Sequence, residues 1–136
     1  MRLCAAAALT AEYMTDRSIA LNVPVLEDYL EAFRMRDLCR CTELYAEGAI
    51  LEFGGTYCRD KPCLERWHRE RFASNLDLLR IDSVLVNGNV VTVDGVVNSD
   101  RLKTWGVAPL SGRAIFIIRD GKITEARFGL NTDASH

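Results

Sequence analysis

The apolar positions change period along this chain, from helical spacing in the first half to alternation in the second. Val25, Leu26, Tyr29, Leu30 and Phe33 fall on one helical face. Asn22 and Pro24 stand before them as a capping side chain and a first-turn proline, so a first helix is predicted to open there. Asp37 has the position of an N-cap for a short second helix that turns Leu38, Cys41, Leu44 and Tyr45 inward and stops at Gly48. Ala49 to Phe53 reads as a strand with Gly54-Gly55 as its turn. Asp60 with Pro62 opens a third helix, on which Leu64, Trp67, His68, Arg71 and Phe72 share one stripe.

From Leu78 onward strands dominate. Leu78 to Val86 ends at Asn87-Gly88, a hairpin signal, and Val90 to Val97 is its partner. Asn98 to Lys103 is polar and turn-like. Trp105 to Leu110 is ambiguous, because Pro109 has no N–H to give a central strand. Arg113 to Arg119 is rich in isoleucine and phenylalanine, and Asp120-Gly121 suits a two-residue turn in which both positions need positive φ. Ile123 to Phe128 alternates, with one slip at Glu125–Ala126; Asn131 to His136 is a polar tail. Helices followed by hairpins imply an α+β domain, with the helices on one face of a curved antiparallel sheet.

Composition narrows the function classes. A chain of 136 residues makes one domain with a sizeable core, and 49% apolar with 26% charged residues is ordinary for a globule. A formal charge of −2 gives no reason to expect nucleic acid or an acidic membrane as partner, and no run approaches a membrane span. The five cysteines form no even framework. Cys39 and Cys41 point apart on a helix and Cys58 and Cys63 lack a nearby histidine pair, so no metal site is expected. All five are read as reduced thiols of a cytoplasmic protein. Met1-Arg2 followed by the apolar run Leu3 to Leu9 faintly resembles a secretion signal without a clear cleavage site. A leading helix is the favoured reading, and a true start at Met14 is the other alternative. No phosphate loop, Ser-His-Asp order or zinc spacing is present.

Three segments carry a resemblance: LYAEGAILEF (Leu44 to Phe53), CRDKPCLERWH (Cys58 to His68) and GRAIFIIRDGKITEARF (Gly112 to Phe128). Their order and spacing resemble the nuclear transport factor 2-like superfamily, which includes SnoaL-like, ketosteroid isomerase-like and limonene epoxide hydrolase-like proteins. The resemblance covers about residues 23 to 130, which sets residues 1–22 apart as an N-terminal extension or short helix and 23–136 as the single domain. It implies a cone, in which a strongly curved, mostly antiparallel sheet wraps three or four helices around an apolar pocket. It also implies a homodimer through the outer sheet face and no cofactor.

Carried over position by position, the resemblance removes the familiar mechanisms. The isomerases' catalytic aspartate falls at Phe53 and their protonated aspartate near Ala114; the epoxide hydrolases' Asp-Arg-Asp set falls at Gly95 or Val96 and at Phe128. What it retains is Tyr29, at the isomerases' oxyanion-donating tyrosine. Tyr45 falls at a supporting tyrosine of the second helix, and His68, after one inserted residue, at a third. A hydrogen-bonded Tyr29–Tyr45–His68 group is therefore expected at the pocket floor, with Tyr29 as oxyanion donor and His68 as acid/base.

Asp94, a charge between Val93 and Gly95 on a strand, is a further candidate base, whereas Asp28 is expected to face solvent. Glu52, Glu125 and Arg127 have the parity of the outer face. Tyr45, Phe53, Trp67, Trp105, Phe116 and Phe128 are the expected substrate-binding wall, with Leu51, Phe72, Ala114 and Ala126 beside them. Three readings of different class remain. One is a cofactor-free isomerase, lyase or cyclase acting on a small hydrophobic oxygenated metabolite. The others are a non-catalytic binder of such a ligand, and a dimeric interaction module with a filled core.

Overall fold

A computed structural model describes residues 17–130, with side chains from Pro24 onward. The expectations for the leading apolar run, Met14 and the tail with His136 lie outside the described residues. The elements are α1 (Arg17–Arg34), α2 (Leu38–Glu43), β1 (Tyr45–Phe53), β2 (Thr56–Cys58), α3 (Lys61–Ala73), β3 (Asp77–Asn87), β4 (Val90–Asn98), α4 (Asp100–Thr104), β5 (Leu110–Arg119) and β6 (Lys122–Leu130). The strands form one open sheet in the order β2-β1-β6-β5-β4-β3, antiparallel except where β1 runs parallel to β6.

Local chemistry explains most boundaries. The Asp37 carboxylate accepts from the Arg40 N–H at 3.1 Å, and that of Asp60 from the Cys63 N–H at 2.8 Å; each satisfies an orphan donor at a helix start. The far end of α2 is held by lysines. Lys61 Nζ donates to the Thr42 and Tyr45 carbonyls, each at 2.7 Å, and Lys122 Nζ to the Glu43 carbonyl at 2.8 Å. The last hairpin turns at Asp120 and Gly121, both in the left-handed region with φ of 52° and 76°, as the dipeptide predicts.

The structure corrects several expectations. α1 begins at Arg17, so Asn22 and Pro24 lie inside the helix instead of opening it. Proline forfeits one hydrogen bond, and packing of the following turns through Leu26, Tyr29 and Phe33 outweighs that loss. Tyr45 begins β1 instead of closing α2, and Gly48, with φ of 75°, lies where the β1–β6 register shifts. The polar stretch after Asn98 folds as α4, because the Ser99 hydroxyl accepts from the Leu102 N–H at 3.1 Å. Asp28 is buried and paired with Arg40 between α1 and α2.

The cysteine reading also changes. Cys58, at the end of β2, and Cys63, in the first turn of α3, are brought to a Cα separation of 5.3 Å by the Asp60 cap and are joined as a disulfide. Cys39 is disulfide-bonded as well, and Cys41 is a buried free thiol. The inference from thiols to a cytoplasmic location loses its support. No described helix is long and apolar enough to cross a membrane.

Bulges bend the sheet around the helices. Register shifts occur in β1–β6, twice in β3–β4, and in β5–β6, where Ile117 pairs with Glu125 and Ile118 with Ile123. That last shift, at Thr124, is the physical origin of the broken alternation before Ala126. Gly95 sits opposite the β3 irregularity, where a Cβ would come 2.7 Å from the Arg80 carbonyl oxygen. The concave face buries Leu51, Phe116, Ile118 and Ile123 against Leu26, Tyr29 and Leu64.

Candidate functional site

Between the helices and the concave face lies an open cavity of about 530 Å³. Sheet parity builds its wall. Val93, Gly95 and Val97 of β4 line it, with Gly112, Ala114 and Phe116 of β5 and Phe128 of β6. The aromatics form a continuous run from the rim inward. Phe53 meets Trp67 with ring centroids 5.8 Å apart, and Trp67 stacks on Phe128 at 4.9 Å. Phe128 meets Phe116 at 5.8 Å, and Phe116 meets Tyr29 at 5.6 Å. Trp105 stands at the rim, 65% exposed.

At the inner end of this wall Tyr29 meets Tyr45 and His68, all three fully buried. Tyr29 Oη lies 2.7 Å from His68 Nε2 and 3.0 Å from Tyr45 Oη, and His68 Nδ1 lies 2.7 Å from the Leu64 carbonyl. The directions follow from chemistry. A carbonyl only accepts, so Nδ1 carries the proton, and in the neutral ring Nε2 must accept from Tyr29. Tyr29 in turn accepts from Tyr45. The relay runs Tyr45, Tyr29, His68, Leu64, and every donor in it is used.

Its electrostatics agree. Burial lowers the His68 pKa from 6.5 to about 4, opposed by the Leu64 hydrogen bond and assisted by the Arg71 charge. Burial raises the pKa of both phenols, so they remain protonated. Tyr29 reaches the cavity wall, whereas Tyr45 and His68 stand behind it. The relay directs the Tyr29 O–H at His68, away from a ligand.

Asp94 occupies the opposite side of the sheet. Arg113 Nε and Nη2 donate to it at 2.7 Å and 3.1 Å, and Ser83 at 3.3 Å. Those bonds hold its carboxyl below the usual range, and it does not line the cavity. Phe53, Trp67, Trp105, Phe116 and Phe128 all line it; Tyr45 does not. Of the positions matched to the relatives' catalytic groups, Phe53, Gly95, Ala114 and Phe128 are wall residues, and Val96, the alternative to Gly95, is not. No carboxylate or imidazole lines the cavity among the described residues, and no group of metal-ligating side chains occurs among them.

Arg71 was visible on the third helix's stripe but carries no role in the sequence reading. The signal was a charge four residues after Trp67 on an otherwise apolar face. Its guanidinium lies 5.0 Å from the Phe53 ring centroid and 5.1 Å from that of Trp67, lining the cavity. Burial weighs against its charge, as does nearby Arg101, while Glu70 favours it.

A curved six-stranded sheet over helices, enclosing an apolar cavity from its concave face, defines the class of α+β pocket proteins with the nuclear transport factor 2-like fold. The SnoaL-like domain family matches residues 26–126, and the chain belongs to that family. Among solved structures, a Sinorhizobium meliloti protein described as a candidate polyketide cyclase is 20% identical, with a TM-score of 0.70 over 84% of this chain and 100% of its own. SalBIII, an epoxide hydrolase/cyclase-like enzyme of pyran ring formation in salinomycin, is 13% identical, with a TM-score of 0.69 over 80% of this chain and 89% of its own. TerC, co-crystallised with polyporic acid, is 15% identical, with a TM-score of 0.67 over 83% and 93%. Comparison with curated proteins gives no match.

Proposed function

We propose that this protein binds a small, mainly apolar, oxygenated organic molecule in the concave cavity. The observation that carries this reading is an open cavity of about 530 Å³ with an aromatic wall and neither carboxylate nor imidazole among its described lining residues. A base-catalysed isomerisation or ring closure needs a proton acceptor within reach of the ligand, and the described lining residues offer neither carboxylate nor imidazole for that role. Binding is the function this chemistry supports.

A second reading, an isomerase- or cyclase-type enzyme, is favoured by one feature: the Tyr29 phenol at the wall, backed by His68. The cyclase and epoxide hydrolase/cyclase relatives give that reading its substrate class, polyketide-like oxygenated compounds. In this version Tyr29 would turn its proton from His68 to a developing oxyanion, and substrate folding in the cavity would supply the rest. Lipophilic ketones, epoxides and polyketide-like compounds should be screened for thermal stabilisation and, separately, for turnover. Stabilisation without turnover is the expected result. Turnover lost in Tyr29→Phe would favour the enzyme, and no stabilisation by any compound would sink both readings.

The proposal includes a second copy of the chain. Leu85 and Val90 are exposed on the convex side of β3 and β4, and Ile115 and Ile117 of β5 pair across Thr92 and Val90 on the same side. This strip would be covered in a homodimer. Sedimentation of the wild type as a monomer at micromolar concentration would remove the dimer from the proposal.

A further inference from the structure

Two guanidinium groups and one indole N–H on the cavity lining are not accounted for by an apolar ligand. Arg71 projects from α3 with its side chain only 15% exposed and its charge against the faces of Phe53 and Trp67. Its one carboxylate contact, to the adjacent Glu70, is long at 3.5 Å, and Glu70 is itself 58% exposed. Arg101, from α4, lines the same cavity, its guanidinium 5.9 Å from the Trp105 ring centroid. The two charges are close enough to repel each other, and no described carboxylate forms an ion pair with Arg101. Trp67, 8% exposed, lines the cavity and leaves its buried Nε1 without a hydrogen-bond partner.

Arg71 and the Trp67 indole are costly without a ligand, whereas Arg101 is exposed and adds a second positive charge beside them. A buried N–H with no acceptor forfeits a hydrogen bond that water would have supplied, and a half-buried guanidinium loses hydration that ring faces replace only in part. An acceptor-only group carrying negative charge would meet all three. Neutral ketone or hydroxyl oxygens would meet one donor and leave the charges uncompensated.

We infer that the ligand is an organic anion, an apolar aromatic or aliphatic body bearing a carboxylate or an equally acidic enol, with the anionic oxygens held by Arg71 and Arg101 beside the Trp67 indole. This rests on the pocket reading above and specifies its ligand class. The cavity's concave side takes the apolar body, and the α3–α4 rim takes the charge.

The test compares 2-naphthylacetate with 2-(2-naphthyl)ethanol, which share a ring system and differ in charge, by isothermal titration calorimetry on the full chain. The acid should bind about tenfold or more tightly than the alcohol, as expected of charge-assisted hydrogen bonds in a partly dry site. Arg71→Gln should abolish that preference, weakening the acid far more than the alcohol. Arg101→Gln, at an exposed position, should reduce the preference and its sensitivity to salt. Equal binding of acid and alcohol by the wild type overturns the anion site and leaves the apolar pocket standing. A preference that survives both substitutions also overturns it. Absence of binding by either probe to the wild type, folded by circular dichroism, overturns the pocket reading and the anion site together.

Discussion

The Tyr29 hydroxyl donates a hydrogen bond to His68 Nε2 across 2.7 Å and accepts one from Tyr45 across 3.0 Å. Tyr29 is thus the middle of a buried relay, with a partner on each side. Tyr29→Phe strands both the Tyr45 donor and the His68 acceptor, so it should cost about 2–3 kcal/mol, whereas Tyr45→Phe removes an end and should cost about 1 kcal/mol. Urea denaturation of both variants checks the order; a larger loss in Tyr45→Phe would contradict the central place of Tyr29 in the relay.

His68 predicts a pH dependence. Its folded pKa is about 4 against 6.5 when exposed, so the unfolded chain takes up the proton first as pH falls. The contribution is fully present above pH 6.5 and is lost progressively between pH 6.5 and 4. Together that amounts to about 3 kcal/mol. Unfolding free energies at pH 7 and pH 4.5 should differ less in His68→Gln than in the wild type. The Asp94 carboxylate, held low by Arg113, acts in a separate window below its ordinary range. An unchanged slope in His68→Gln would count against a buried neutral imidazole.

Much of this architecture was legible because it is local. Asp120-Gly121 dictates its own turn, and Asp60 with Pro62 announces α3. The grouping of Tyr29, Tyr45 and His68 came from the family resemblance. What stayed hidden depends on elements meeting in space. Asp28 reads as solvent-facing until α2 brings Arg40 against it, and Cys58 finds Cys63 only because a cap turns the chain back. Asp94 and Phe53 illustrate the rest. Parity sent Asp94 to the convex side, where Arg113 holds it, while Phe53 stayed on the cavity wall. The resemblance could show which carboxylates are missing, but the volume they would have faced is set by packing.

The disulfide between Cys58 and Cys63 closes a short loop, so the chain-entropy account limits its contribution to about 2 kcal/mol. Cys58→Ser paired with Cys63→Ser should lower stability by that amount and leave the fold unchanged by circular dichroism. Non-reducing peptide mapping of the wild type should recover the two cysteines in one linked fragment. Recovery of both as alkylated free thiols would remove the bond.

Gly95 offers the sharpest test of the sheet's bend. A methyl group there would press on the Arg80 carbonyl oxygen, which is backbone and cannot swing aside, at 2.7 Å. Relief would require β3 to move off β4 where the register already shifts, and with it Leu78, which lines the cavity. Gly95→Ala should therefore cost about 1–3 kcal/mol, although alanine normally stabilises a strand relative to glycine. Gly129 on β6 has open space at its Cβ position and an ordinary φ, so Gly129→Ala should be neutral or slightly stabilising. Parallel thermal melts of the two variants decide the matter. Equal stability would mean that β3 and β4 leave room for a methyl group at Gly95, and that the cavity wall there is correspondingly looser.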